Sequence, residues 1–168
     1  MGVIGVRGAQ VRVRRLWAVG VLLVVTAGFY YLVWYYRVNR ELRDYGRAFG
    51  PPNPLDVDVR QALLAVTVGG IVLVPAAVSV AGTFERIEQA ERLSGAARVL
   101  SSAVGLALFV LALVLSGVAV LALVGVLPFG ELVRILLNVA AIAALGIKLA
   151  YTQHHMNGIW RRELARPA

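Results

Sequence analysis

The sequence predicts an all-α fold, an integral membrane bundle of four transmembrane helices joined by amphipathic interfacial connectors. Three observations predict it. The 168 residues are 60% hydrophobic and the mean hydropathy is +0.77. Soluble domains usually hold ~45–50% apolar residues, glycine included. The excess lies in four long blocks, 16–36, 62–84, 99–127 and 132–150, of which the first three carry no charge. A helix needs ~20 apolar residues to cross a bilayer core. Finally, the arginines cluster beside the blocks, as charges that set membrane orientation do.

In chain order, residues 1–15 are expected to form a short basic cytoplasmic segment, with Arg7, Arg12, Arg14 and Arg15. The first block is too long and too aromatic for a cleaved signal, so it is expected to stay as span one. Tyr30, Tyr31, Trp34, Tyr35 and Tyr36 crowd its end, where polar-tipped rings would settle among headgroups. Tyr31, Tyr35, Val38, Leu42, Tyr45 and Phe49 share one helical face. That spacing predicts one continuous helix from span one to about Gly46. The prolines at 51, 52 and 54 stop it.

Asp58 to Gln61 has capping-box spacing and predicts the next helix start. The second block contains Gly69-Gly70 and Pro75. A kinked span is the expectation, with a re-entrant hairpin as the alternative. Glu85 to Arg98 reads as a helical connector with a Glu88–Arg92 pair, stopped at Ser94-Gly95. The third block is longer than a span needs, so it tilts or bends near Ser116-Gly117. Residues 128–131 make a turn. In the fourth block Arg134 and Lys148 lie near the ends, where both can snorkel. The membrane domain therefore covers 16–160, followed by a basic tail over 161–168.

Three pieces of the chain carry a resemblance. They are Thr26-x-Gly28-x-Tyr30 with Trp34-x-Tyr36 and Asn39-Arg40-Glu41-Leu42; Arg86 to Gly95; and Tyr151-x-Gln153 with Asn157-x-x-Trp160. Together they resemble the bacterial membrane proteins grouped as domain-of-unknown-function family 4234. The resemblance implies a multi-pass membrane fold and no agreed activity. The arginine-rich, alanine-rich composition also suggests a GC-rich bacterial genome.

The chain has no cysteine, which excludes disulfides and thiolate chemistry. His154 and His155 are adjacent and point about 100° apart on a helix, a poor pair for one metal ion. No apolar block holds a carboxylate, and Gly69-Gly70 is not followed by the Lys-Ser/Thr of a phosphate loop. No catalytic, cofactor-binding or metal-ligating residue is therefore assigned, no cofactor is expected, and the expectation is not an enzyme. Asn138 stands one turn inside the fourth block, as a helix–helix hydrogen bond or a substrate contact.

The net charge of +8 points to anionic headgroups of the lipid bilayer and not to nucleic acid. Ala140 with Ala144, and Ala103 with Ala107, make small-residue faces for a protein partner or a homo-oligomer. The leading reading is a non-enzymatic structural or regulatory subunit in the bacterial cytoplasmic membrane. One alternative is a small oligomeric transporter or channel, which needs a polar cavity of the kind Asn138, Thr67 and Ser79 would line. The other is a membrane-sited immunity or stress factor, by resemblance to small phage-exclusion proteins.

Four spans place both termini in the cytoplasm. Ten basic residues then lie inside: Arg7, Arg12, Arg14, Arg15, Arg86, Arg92, Arg98, Arg161, Arg162 and Arg166. Five, Arg37, Arg40, Arg43, Arg47 and Arg60, lie outside, against the usual resistance of arginines to export.

Overall fold

A computed structural model describes residues 3–26, 28–68, 74–96 and 99–166. The chain begins with a β-hairpin, β1 (Val3–Val6) and β2 (Ala9–Arg12). Val6 pairs with Ala9 and Ile4 with Val11. Positive φ at Arg7 (45°) and Gly8 (83°) makes the two-residue turn whose twist suits a hairpin. Val6, Ala9 and Val11 face inward while Gln10 and Arg12 face water, the alternation of a half-buried ribbon. The N-terminal segment is thus a folded part of the core.

Helix α1 (Leu16–Val25) and helix α2 (Tyr30–Gly46) are separate. This corrects the expectation of a single helix through both. Gly28 has φ of 90° and donates its N–H to Leu23 O at 2.8 Å, a glycine stop. The Thr26 hydroxyl donates to Leu22 O and accepts the Tyr30 N–H, both at 2.8 Å. Thr26 thereby closes α1 and caps α2. Along α2, Tyr35, Val38, Leu42 and Tyr45 are all buried on one face, as their spacing predicts. A short 3-10 turn, Arg47–Phe49, follows.

Helix α3 (Val59–Thr67) starts where expected, with Asp58 accepting the N–H groups of Arg60 and Gln61. Helix α4 (Val74–Leu93) begins in the second block and runs on through the charged connector. Ser79 Oγ donates to Ala62 O at 3.2 Å. Residues 62 and 79 can be neighbours only if α3 and α4 run antiparallel, so the second block is not one straight span. The Gly69-Gly70 pair lies outside the described residues. Gly95, with φ of 73°, ends α4 at the expected stop.

Helix α5 (Ser102–Leu123) starts at Ser101 and passes Ser116-Gly117 without a break. Helix α6 (Glu131–Ala165) is 35 residues long, about 52 Å at ~1.5 Å per residue. It absorbs the fourth block and runs into the expected tail as far as Ala165. The helices α5 and α6 pack along their length as an antiparallel pair. Ala112, Ala119 and Ala122 of α5 and Ala141 and Ala144 of α6 are buried, whereas Ala103 and Ala107 stay exposed. The Phe84 ring lies so close over Gly105 that an added Cβ would stand 2.7 Å from it.

Among the described residues, α5 and α6 are the two helices long and apolar enough to cross a membrane. Their best windows have mean hydropathy 2.9 and 2.0, and only 22% of each window is buried. A core helix of a soluble protein would be mostly buried, so these exposed apolar faces demand another explanation.

Replacing Gly28 by alanine forces a Cβ into the left-handed region and is expected to lower stability by about 1–2 kcal/mol. Gly117→Ala, mid-helix with open space around it, is expected to raise it by ~0.5–1 kcal/mol. Thermal unfolding of both variants in one detergent reads the difference directly.

Candidate functional site

The polar side chains meet at one end of the molecule, around the second half of α6. Trp34 Nε1 donates to Gln153 Oε1 at 2.8 Å, and Gln153 Nε2 donates to Asn157 Oδ1 at 2.9 Å. The Asn157 amide then grips the backbone of Arg14, accepting its N–H at 3.0 Å and donating to its C=O at 2.7 Å. The Arg14 guanidinium makes a two-pronged pair with Glu41, both side chains buried. Burial pushes the Glu41 carboxyl up, against the pull of Arg14. Two of the three sequence pieces, the first through Trp34 and Glu41 and the third through Gln153 and Asn157, thus converge on Arg14, which reads in the sequence only as part of a basic lead.

Two further carboxylates brace this end. Glu163 accepts from Arg7 Nε at 2.6 Å, Arg166 Nη1 at 2.7 Å and the Tyr45 hydroxyl at 2.9 Å. The hydrogen bond to Glu163 raises Arg7. Burial, then Glu163, raises Tyr45 and keeps its hydroxyl a donor. Glu91 accepts the Leu100 N–H, pairs with His155 Nδ1 at 2.8 Å, and has Arg162 at 3.7 Å. The Glu88–Arg92 pair forms at 2.8 Å, as the sequence predicts.

Of the remaining motif residues, Asn39 is buried and accepts from Thr83 at 3.1 Å and Arg86 at 3.0 Å. Tyr35 donates through its hydroxyl to Ser79 O at 2.9 Å. Trp160 is buried edge-on to Tyr45, with ring centres 5.4 Å apart. Thr26, Gly28 and Tyr30 form the α1–α2 corner. Tyr36 and Arg40 are exposed. The expected aromatic belt is therefore split, because Trp34 and Tyr35 are turned inward by their hydrogen-bond partners on α6 and α4.

Lys148 corrects the snorkelling expectation. It is 1% exposed, donates to the Tyr31 hydroxyl at 2.8 Å, and stands 4.3 Å from the Tyr31 ring centre and 5.2 Å from that of Phe109. Trp34 and Phe84 complete the cage at 5.9 Å each. Ring faces attract a desolvated cation, and the Tyr31 hydroxyl gives the buried amine a hydrogen-bond partner. Its sequence signal is that it is the one lysine among 16 arginines.

Asn138 stands apart. Its amide donates to Arg134 O at 2.8 Å on its own helix, and it lines a cleft of about 310 Å³ with Gly28 and Ser116. Ser79 lines a different cleft, between α3 and α4, and Thr67 bonds back to Leu63 O. The polar cavity a transporter reading requires is not assembled from these three.

Fourteen arginines lie at the polar end by their contacts and position. Arg134 sits at the far end, bonded to Phe129 O, and Arg98 lies outside the described residues.

Arg14→Ala is expected to cost about 3–5 kcal/mol, since it strands a buried carboxylate. The double variant Arg14→Met with Glu41→Leu should recover most of that loss. A double-mutant cycle of Arg14→Met and Glu41→Leu, followed by thermal unfolding, measures the coupling; a double-variant loss equal to the sum of the two single losses would mean the pair carries none.

No curated protein and no solved structure matches the chain. The model of the family described as a domain of unknown function (DUF4234) matches residues 14–158. That stretch begins at Arg14 and ends just past Asn157, so it holds both partners of the backbone clasp. The chain belongs to the DUF4234 family.

Proposed function

We propose that this protein is a multi-pass integral membrane protein that works without catalysis, as a structural or regulatory subunit whose working surface is its arginine-rich end. The observation that carries this reading is segregation along α6. Its first half exposes Leu132, Ile135, Leu136, Val139, Ile142 and Ile147, and its second half is buried among paired polar groups. An exposed apolar girdle of this length fits hydrocarbon, and the basic end fits the cytoplasmic face of a bacterial inner membrane.

The same segregation supports a topology other than four spans. In this reading α5 and α6 cross the bilayer. Helix α1 is about 15 Å long, half of a ~30 Å core. The α1–α2 and α3–α4 pairs enter from the arginine side and return to it. Both termini and the 37–61 segment then share the cytoplasmic side, and the five arginines of that segment need not be exported. Non-helical backbone at the Gly28 corner is tolerated because its groups are bonded within the corner, the Gly28 N–H to Leu23 O and the Tyr30 N–H to Thr26 Oγ1. The exposed Ala103 and Ala107 remain available to a partner helix or a second copy.

The chain lacks cysteine, so single cysteines report sidedness cleanly. With a membrane-impermeant maleimide on intact cells, Gly130→Cys is expected to label and Ala48→Cys to stay protected until lysis. Labelling of Ala48→Cys in intact cells would restore four full spans.

A further inference from the structure

We propose that the cleft between the β2–α1 junction and α6 is a seat for the phosphate of an anionic phospholipid. The proposal rests on the membrane reading above and goes further, in naming one site and one class of lipid. The cleft has a volume of about 430 Å³ and is lined by Arg15, Leu16, His154, Gly158 and Arg161, with Arg14 at its back. That volume falls within the ~300–1,000 Å³ of small-ligand sites.

Its charge is one-sided. The carboxylates nearest this end are already committed, Glu41 to Arg14, Glu163 to Arg7 and Arg166, and Glu91 to His155 and Arg162. Arg15 and Arg161 have no carboxylate partner among the described residues, and both are exposed. Two arginine forks with no acid between them suit a phosphate geometrically as well as by charge.

Height along the molecule selects a lipid over a free anion. The cleft sits where the polar hairpin hands over to the apolar α1. Leu16 and Trp17 are exposed immediately beyond it, on the side where acyl chains would lie, and an exposed tryptophan favours that boundary. Gly158 leaves the floor of the cleft open between His154 and Arg161. A Cβ there would make only ordinary contacts, the nearest being Arg162 Nη1 at 3.5 Å, so a larger side chain fills the seat without breaking the fold.

The test uses the full chain reconstituted in phosphatidylcholine vesicles, with spin-labelled phosphatidylglycerol and phosphatidylcholine as probes of the lipid shell. The parent protein is expected to prefer phosphatidylglycerol. Arg15→Gln with Arg161→Gln should weaken that preference roughly fivefold or more, since one basic residue near an anionic surface is worth about that factor. Gly158→Leu should weaken it with every charge retained. Arg60→Gln with Arg92→Gln removes the same charge outside the cleft and should leave the preference intact. Equal loss in that control pair overturns the seat in favour of diffuse attraction. Abolition by millimolar inorganic phosphate overturns it in favour of a soluble anion. A parent protein that reconstitutes but shows no preference overturns the seat alone; one that fails to enter vesicles overturns the membrane reading with it.

Discussion

The second half of α6 buries Lys148, Gln153, Asn157 and Glu163, besides Thr152, which bonds back to Lys148 O on its own helix, and the burial of those four constrains everything else. A buried polar group costs several kcal/mol unless it is hydrogen-bonded, and a buried charge costs more. Each of the four is answered by a different piece of the chain. Tyr31 meets Lys148, Trp34 meets Gln153, the Arg14 backbone meets Asn157, and Arg7 with Tyr45 meets Glu163. The first 45 residues are therefore held against the last 20, and the N-terminal hairpin has to fold for Arg7 to reach its partner.

The corner at Gly28 follows from the same constraint. Gln153 and Asn157 are one turn apart on α6, about 6 Å. Their partners, Trp34 and Arg14, are 20 residues apart in the chain. A straight helix of that length would separate them by about 30 Å. The chain between them must go out and come back, which needs a reversal that an α-helix cannot make. Gly28 supplies the left-handed residue, and Thr26 satisfies backbone groups on both sides of the turn. The Ser79 bond to Ala62 imposes the same closed excursion on the second block. Both apolar blocks are long enough to span and neither is used as one straight helix.

This is why some features were legible in the sequence and others were not. The buried face of α2, the Asp58 cap and the Ser94-Gly95 stop each depend on side chains within a turn or two of one another, and local spacing reveals them. A reversal inside an apolar block leaves hydropathy unchanged, because hydropathy counts uncharged length and carries no direction. The alternation from Ile4 to Val13 signals the hairpin, but the interleaved arginines make it read as a charged lead. At the site, Trp34, Glu41, Gln153 and Asn157 were visible through their motifs. Arg14, Lys148 and Glu163 were not, since the partners that tie them to other elements lie 27 to 156 positions away in the chain.

In the proposed topology the two excursions also remove the electrostatic conflict of a four-span arrangement. Arg37, Arg40, Arg43, Arg47 and Arg60 stand between the first two blocks, where four spans would carry them across the membrane. In the proposed topology, where each block returns on itself, those arginines stay on the side of Arg12, Arg15 and Arg161, and among the described residues the 124–130 turn with Glu131 and Arg134 faces the opposite side. Like charges gathered at one end repel, and three buried carboxylates, Glu41, Glu91 and Glu163, offset part of that repulsion from within. The positive charge left over lies on exposed arginines, Arg15 and Arg161 beside the Asn157–Arg14 clasp among them. In a bilayer with an anionic inner leaflet that surplus becomes an attraction, so in the proposed reading the charge that strains the isolated fold is the one that would seat it on the membrane face.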